Sequence, residues 1–421
     1  MTRSSIIRLA VVASLAVAPA VVPAPASAQE VEDSCRSCHE MLQGRLGTPV
    51  ELFAQDVHEA AGFGCSACHG GDPTIQGAGA MDEAKGYIGA PGPQQIPEVC
   101  GRCHSNAGFM RQYNPSLRVD QVTEYVTSVH GQRLLSAGDE NVATCASCHG
   151  THGILSASDS RSRVHPLRVA DTCGECHADA ERMEGYGIPF DQLQKYKSSI
   201  HWATMSETGD LSAPTCNDCH GNHGASPPGV DWVGNVCGQC HVVMHDYFNE
   251  SRHSEAFKMM GVPGCALCHQ NHAVVAASDE MLGVHEGAVC ARCHREGDPG
   301  GTVAEGMGVG ISGLRSSLDS ARHILESAEN SGMEVSEALA SLNDGQSALI
   351  KARAAVHAFD LETVEGEIEP GIEVAEAALA RGERALRDLQ TRRLGLGISV
   401  LIIGALIVGL VFKIRDVERV G

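Results

Sequence analysis

The chain has 421 residues, of which 43% are hydrophobic but only 4% aromatic, and 52 Asp and Glu outweigh 31 Lys and Arg for a formal net charge of −21. This balance excludes nucleic acid as a partner, because phosphate binding needs clustered Lys and Arg. The length allows two or three domains, yet so few large rings cannot fill their interiors, and another apolar mass must supply part of the core.

Residues 1–28 carry Arg3 and Arg8, a mostly apolar run from Leu9 to Val22, and a small-residue site at Ala26-Ser27-Ala28. They predict a secretory signal peptide removed before Gln29. A retained membrane helix fits less well, since Pro19, Pro23 and Pro25 interrupt the run. The mature chain is therefore expected outside the cytoplasm.

Residues 29–296 form the next predicted domain and hold all 18 cysteines, arranged as nine Cys-x-x-Cys-His motifs. These are Cys35, Cys38 and His39; Cys65, Cys68 and His69; Cys100, Cys103 and His104; Cys145, Cys148 and His149; and Cys173, Cys176 and His177. Cys216, Cys219 and His220 follow, then Cys237, Cys240 and His241; Cys265, Cys268 and His269; and Cys290, Cys293 and His294. Two thiols three positions apart on a helical turn can each add to one vinyl group of a haem, and the adjacent His then faces the iron as proximal ligand. Structural disulfides do not require a following His. Zinc ribbons need the cysteine pairs two at a time, so nine motifs would leave one over and every His unexplained. The pattern predicts nine covalent haems c.

With roughly thirty residues per haem, the porphyrins themselves must be the core, which accounts for the shortage of aromatics. The expected fold is mainly α with extensive irregular structure and little β, its Gly- and Pro-rich stretches at 77–95 and 224–234 forming surface loops.

Ten further His lie in the haem segment, about one per iron, which is the arithmetic of bis-histidine ligation. His58, His130, His201 and His253 each precede a motif by seven to fifteen residues and follow an aromatic residue. His152, His223 and His272 each stand three residues beyond a proximal His and should reach a neighbouring haem. His165, His245 and His285 lack a repeated context; ligand, surface residue and propionate partner all stay open for them. The repeat is thus a two-haem module, begun near residues 58, 130, 201 and 253, with the haem at Cys35 in front.

A Gly-rich linker is expected at 297–310, followed by a helical bundle over 311–392. Apolar residues recur at spacings of three and four from Ile311 to Ala328, from Ala338 to Phe359 and from Ile372 to Leu389, which predicts three helices with a break at Pro370-Gly371. Its roles would be a stalk, a dimerisation surface or a docking face for a membrane partner. His357 is either a haem ligand or an exposed residue on the bundle flank. Leu394 to Phe412 is a 19-residue uncharged stretch between Arg392-Arg393 and Lys413. It predicts one transmembrane helix with a cytoplasmic tail at 413–421, the rest of the chain lying on the periplasmic side.

These residues resemble the bis-histidine multihaem cytochromes c, in particular membrane-anchored members built from doubled Cys-x-x-Cys-His modules, and are distantly similar to class III tetrahaem cytochromes. The Cys-x-x-Cys-His-Gly-x-His-Gly segments at 145–153 and 216–224 carry the likeness. It implies low-potential electron transfer outside the inner membrane, between a quinol-oxidising membrane complex and further cytochromes. The first module departs from the pattern, because Cys68-His69-Gly70-Gly71-Asp72 has no His three residues on.

Three readings of function follow. The first is a membrane-tethered electron carrier with six-coordinate haems, whose partners are basic proteins or other redox carriers. The second is an oxidoreductase of nitrite, hydroxylamine or sulfite at one open haem, similar to octahaem hydroxylamine oxidoreductases and multihaem nitrite reductases. The third is a subunit of a quinol dehydrogenase whose single span packs against a haem b protein.

Overall fold

The computed structural model describes residues 33–228 and 233–420. The signal peptide expected over 1–28 lies outside the described residues, as does the middle of the 224–234 stretch. Regular structure among the described residues is entirely helical, without a strand, as expected for a mainly α chain. The chain divides into two compact units, Met1–Gly92 and Pro93–Gly421.

In the first unit, short helices Ser34–His39, Thr48–Phe53, Val57–Ala60 and Ser66–His69 are accompanied by 3-10 turns at Gly44–Leu46, Gly77–Met81 and Glu83–Lys85. Asp33 joins the first two motifs. Its Oδ1 accepts from Cys35 N at 3.0 Å, which caps the first helix, and its Oδ2 accepts from Cys65 N at 3.4 Å.

The second unit has two regions of opposite character. In the haem-motif region, helices of four to twelve residues are joined by irregular chain, and buried apolar residues such as Leu134, Met183 and Met205 are scattered rather than massed. From residue 299 onward the core is one continuous cluster running from Met307 through Leu325, Leu342 and Leu349 to Ala385. It is built by α1 (Pro299–Asn330), α2 (Ser336–Ala355) and α3 (Leu361–Val420). Ile311, Leu314, Ala321 and Leu325 are fully buried, as their spacing predicts.

Two expectations are corrected. The stretch 297–310 is not a linker but the first turns of α1, which Asp298 caps by accepting from Gly301 N at 2.6 Å. Its glycines serve close packing instead: a Cβ on Gly310 would stand 2.8 Å from Ile368, and one on Gly306 would stand 2.9 Å from Leu361. Pro370-Gly371 does not break the chain either, since α3 runs through it unbroken. An interior proline costs about 3 kcal/mol. Burial of Val364, Ile368 and Ala375 on both sides of it offsets that cost. Gly371 lets the helices close there, because a Cβ would stand 2.8 Å from Leu314 and 2.9 Å from Ala348.

Beyond Arg393, α3 presents apolar side chains on every face, with a mean hydropathy of 2.7 over its most apolar window and no burial. It is one helix long and apolar enough to cross a membrane. At 1.5 Å per residue, the segment from Leu361 to Arg393 rises roughly 50 Å.

Asp279 fastens the haem-motif region to the bundle. Its carboxylate takes a two-point contact from Arg353, both bonds at 2.8 Å, and a third from Arg315 at 3.0 Å, while its side chain is 9% exposed. The Arg353 hydrogen bond, with Arg315 alongside, holds the Asp279 carboxyl below its ordinary range against the opposing effect of burial. Replacing Asp279 by Asn should therefore lower the unfolding free energy of this contact by about 1–3 kcal/mol at pH 7. Because the native value is the depressed one, the wild-type advantage is complete above the ordinary carboxyl range near pH 4 and is lost as pH falls through the native value. Hydrogen exchange of segment 279–292 at pH 7 and pH 3 measures both effects.

Candidate metal centres

Six of the nine motifs adopt one of two local forms. In the first, a short helix begins at or just before the first cysteine and ends at the His: Ser66–His69, Cys145–His149, Cys216–His220 and Gly264–His269. Thr144 and Thr215 start two of these with reciprocal capping, Thr144 N donating to Ser147 Oγ at 3.0 Å and Thr215 N to Asp218 Oδ2 at 2.7 Å. The residue after each His takes a positive φ: Gly70, Gly150, Gly221 and, without glycine's freedom, Gln270. After Gly221 and Gln270 the reversal leaves the His two positions further on, His223 and His272, facing the His of another motif. In the second form the motif closes a longer helix, as in Ile96–His104 and Pro166–His177. In both forms the paired cysteines lie one helical turn apart on one face, and no cysteine of the described residues is in a disulfide.

The upstream histidines share a device that their spacing alone did not reveal. His58, His130, His201 and His253 each occupy the second position of a helix whose cap is Asp56, Ser128, Ser199 or Ser251. All four caps are buried. Ser128 Oγ accepts from Gly131 N at 2.9 Å and donates to Tyr125 O at 2.6 Å. Tyr125 and Tyr196 in turn donate to Ala143 O at 2.8 Å and Pro214 O at 3.0 Å, tying each such helix to the start of the next motif. The aromatic residue and the Asp/Ser-x-His triplet therefore form one positioning unit.

Imidazole rings are thereby brought to face one another across narrow gaps. His149 faces His223, His220 faces His272 and His269 faces His357, with centroids 6.2, 5.9 and 6.0 Å apart and planes inclined by 9°, 8° and 21°. His130 faces His177, His201 faces His241 and His253 faces His294, at 6.1, 6.3 and 6.0 Å and inclined by 63°, 31° and 65°. A ring nitrogen binds a transition metal at about 2 Å with its centroid about 1.1 Å behind, so two trans imidazoles place their centroids about 6.2 Å apart. The observed gaps fit one iron each, and direct ring stacking would be much closer.

The electrostatics suit the same use. Burial holds His130, His149, His177, His201 and His223 below the usual imidazole range, and likewise His253, His269, His272 and His357. The neutral ring is the ligating form. Several Nδ1 atoms are occupied by protein oxygens, which leaves Nε2 for a metal: His39 on Leu46 O at 3.0 Å, His69 on Gly89 O at 2.7 Å, His58 on Asp56 Oδ1 at 2.8 Å and His294 on Asp298 Oδ1 at 3.2 Å.

The remaining candidates are placed differently. His165 is buried at a helix start, its Nδ1 accepting from Leu167 N at 3.3 Å. His245 lies one turn after His241 against Gly238, where a Cβ would come within 2.6 Å of its ring, and contacts Asn249. His285 is exposed, with Nδ1 on Glu286 O at 3.0 Å. Among the described residues none of the three faces a proximal His, and no imidazole faces His39. His104 closes its helix, and His152 follows the reversal at Gly150.

Neighbouring motifs are also neighbours in space. Hydrogen bonds raise Cys100, Cys173 and Cys237 and lower their partners Cys145, Cys216 and Cys265, the last two to about 7. Burial, with Cys237 and Cys240 nearby, pushes Cys219 up to about 11, and burial, with Cys290 nearby, raises Cys268. In the first unit burial, Asp33 and Cys35 together push Cys65 up to about 12.

No family model and no solved structure matches the chain. It is 25% identical over 231 residues to the C-type polyheme cytochrome OmcB of Geobacter sulfurreducens, in each of two strains, covering 52% of this chain and 26% of that cytochrome. The chain thus matches about a quarter of the length of these curated relatives.

The reversal after the proximal His yields a pair of opposite predictions. Gly221 has φ +84° and ψ 156°, a conformation open almost only to glycine, so Gly221→Ala should destabilise by about 1–3 kcal/mol and draw His223 away from His149. Gln270 already bears that strain at φ 66°, and Gln270→Gly should stabilise by about 1 kcal/mol. Thermal unfolding of the haem-loaded variants checks both signs.

Proposed function

We propose that the chain is a multihaem c-type cytochrome that relays electrons along nine covalently bound haems, anchored by its C-terminal helix with the haem region on the periplasmic side of the cytoplasmic membrane. The observation that carries this reading is the set of six imidazole pairs at iron-sized separation. The match of half the chain to a polyheme cytochrome supports the cofactor class. When bound, haem c supplies an iron that changes its charge by one electron at a potential set by its ligands and surroundings.

The chain's own residues do the rest. The cysteines hold each haem by two covalent bonds, and the order in which their motifs adjoin in space gives a row without a missing step from Cys100 to Cys290. At the facing pairs the two imidazoles would hold the iron between them and so shut out substrates. Hydrogen bonds from Nδ1 to carbonyl and carboxylate oxygens raise ligand basicity and favour the ferric state, which lowers the potential.

The bundle limits the choice of partner. The haem region contacts α1 near its start and the turn between α2 and α3, whereas the membrane span begins roughly 50 Å along α3. A quinol-oxidising or haem b membrane subunit must therefore reach up beside the stalk, and periplasmic cytochromes with basic faces suit the acidic chain as acceptors. The bundle's outer faces are the place for self-association.

One observation favours the second reading, a reductase or oxidase of a small nitrogen or sulfur compound: His39 has no facing imidazole among the described residues. Quantitative electron paramagnetic resonance of the oxidised protein separates the readings. Near-parallel rings split the iron π orbitals and crossed rings leave them nearly degenerate. The relay should therefore show rhombic low-spin signals from the three flat pairs and strongly anisotropic ones from the steeply crossed pairs. A mainly high-spin spectrum would overturn it, and a single high-spin centre that shifts with nitrite, hydroxylamine or sulfite would select the enzyme.

A further inference from the structure

We infer that the helical bundle supplies an axial ligand: His357, in the turn between α2 and α3, completes the iron site whose proximal ligand is His269. This rests on the multihaem reading and adds a metal ligand from outside the repeated modules.

Two independent observations carry it. The first is geometric. His357 faces His269 with centroids 6.0 Å apart and planes inclined by 21°, which falls among the other five pairs. Its Nδ1 donates to Ala354 O at 3.0 Å within the bundle's own turn, which fixes the tautomer and leaves Nε2 directed at the gap.

The second is the register of the repeat. The iron at His149 draws its second imidazole from His223, two residues after the reversal in the motif at Cys216. The iron at His220 draws its own from His272, in the same position after the motif at Cys265. Two successive short-helix motifs are thus each completed by the next one along the chain. The motif at Cys265 is the last of its kind, because the following motif at Cys290 is a single 3-10 turn leading into α1. Residues 295–421 hold no further Cys-x-x-Cys-His motif, and His357 supplies the imidazole that faces His269.

The surroundings hold the turn in place. Phe359, two residues on, takes a left-handed φ of 53°, costly for an aromatic residue, and its ring lies 3.9 Å from that of His253 and 6.4 Å from Phe248. Arg353, one turn before His357, carries the two-point contact to Asp279. The bundle is thereby joined to the redox region through a coordinate bond as well as through packing.

The test uses full-length, haem-loaded protein in mild detergent. Intact mass gives the haem count, and ferric spin state is read by electron paramagnetic resonance and the near-infrared charge-transfer bands. His357→Ala should keep the haem count, convert one low-spin haem per chain to high spin, and return to low spin on adding imidazole. His357→Met should instead give one methionine–iron charge-transfer band and a higher potential at one haem. The exposed His323, in mid-bundle, is the control, and His323→Ala should change nothing. Full haem content with no change in spin state for His357→Ala, or no new band for His357→Met, would overturn the inference while leaving the multihaem reading intact. Wild-type protein without covalent haem would overturn both.

Discussion

Two imidazoles can share an iron only if their nitrogens face across a gap of about 4 Å, which sets the ring centroids about 6 Å apart. Most local features of the haem-motif region serve that one distance. Capping boxes at Thr144 and Thr215 start the motif helices in a fixed register, and positive-φ residues such as Gly221 reverse the chain behind the proximal His. Buried caps such as Ser128 and Ser199 aim the partner ring from the first turn of another helix. A conventional core is scarcely present, so positioning is done by backbone capping and turns rather than by packed side chains.

The bundle answers to a different constraint. Its core is a continuous apolar seam that needs no cofactor, and its small residues allow close approach of the helices. The bundle carries the haem-motif region at one end and the apolar segment of α3 at the other. Asp279, Phe359 and His357 join the two regions where α2 turns into α3. In the electron relay proposed above, a rigid join would keep tunnelling distances fixed.

Much of this was legible in the residues. The nine motifs read directly, because covalent attachment demands an invariant spacing whatever the fold. The bundle stripes also read directly, since a 3.6-residue period reports burial along a regular helix. The positions of His223 and His272 followed from their recurrence. What escaped reading depended on tertiary context. Residues 297–310 looked like a linker because glycine is a poor helix former in isolation, yet Gly306 and Gly310 are where other helices press closest. Pro370 looked like a break because local propensity cannot weigh the packing on either side of it. The Asp/Ser-x-His caps could have been found at Asp56, Ser128, Ser199 and Ser251, where the signal was plain but was overshadowed by the aromatic spacing. His357 stands outside every repeat, and only the fold brings it to His269.

The central claim is that the six ring gaps are iron sites. Anomalous scattering at the iron edge from crystals of the haem-loaded protein tests it most directly. An iron peak is expected between the rings of each pair, at about 2 Å from both Nε2 atoms, including one between His269 and His357. Irons bound at the motifs but with the partner imidazoles turned away, or peaks displaced from these gaps, would contradict it.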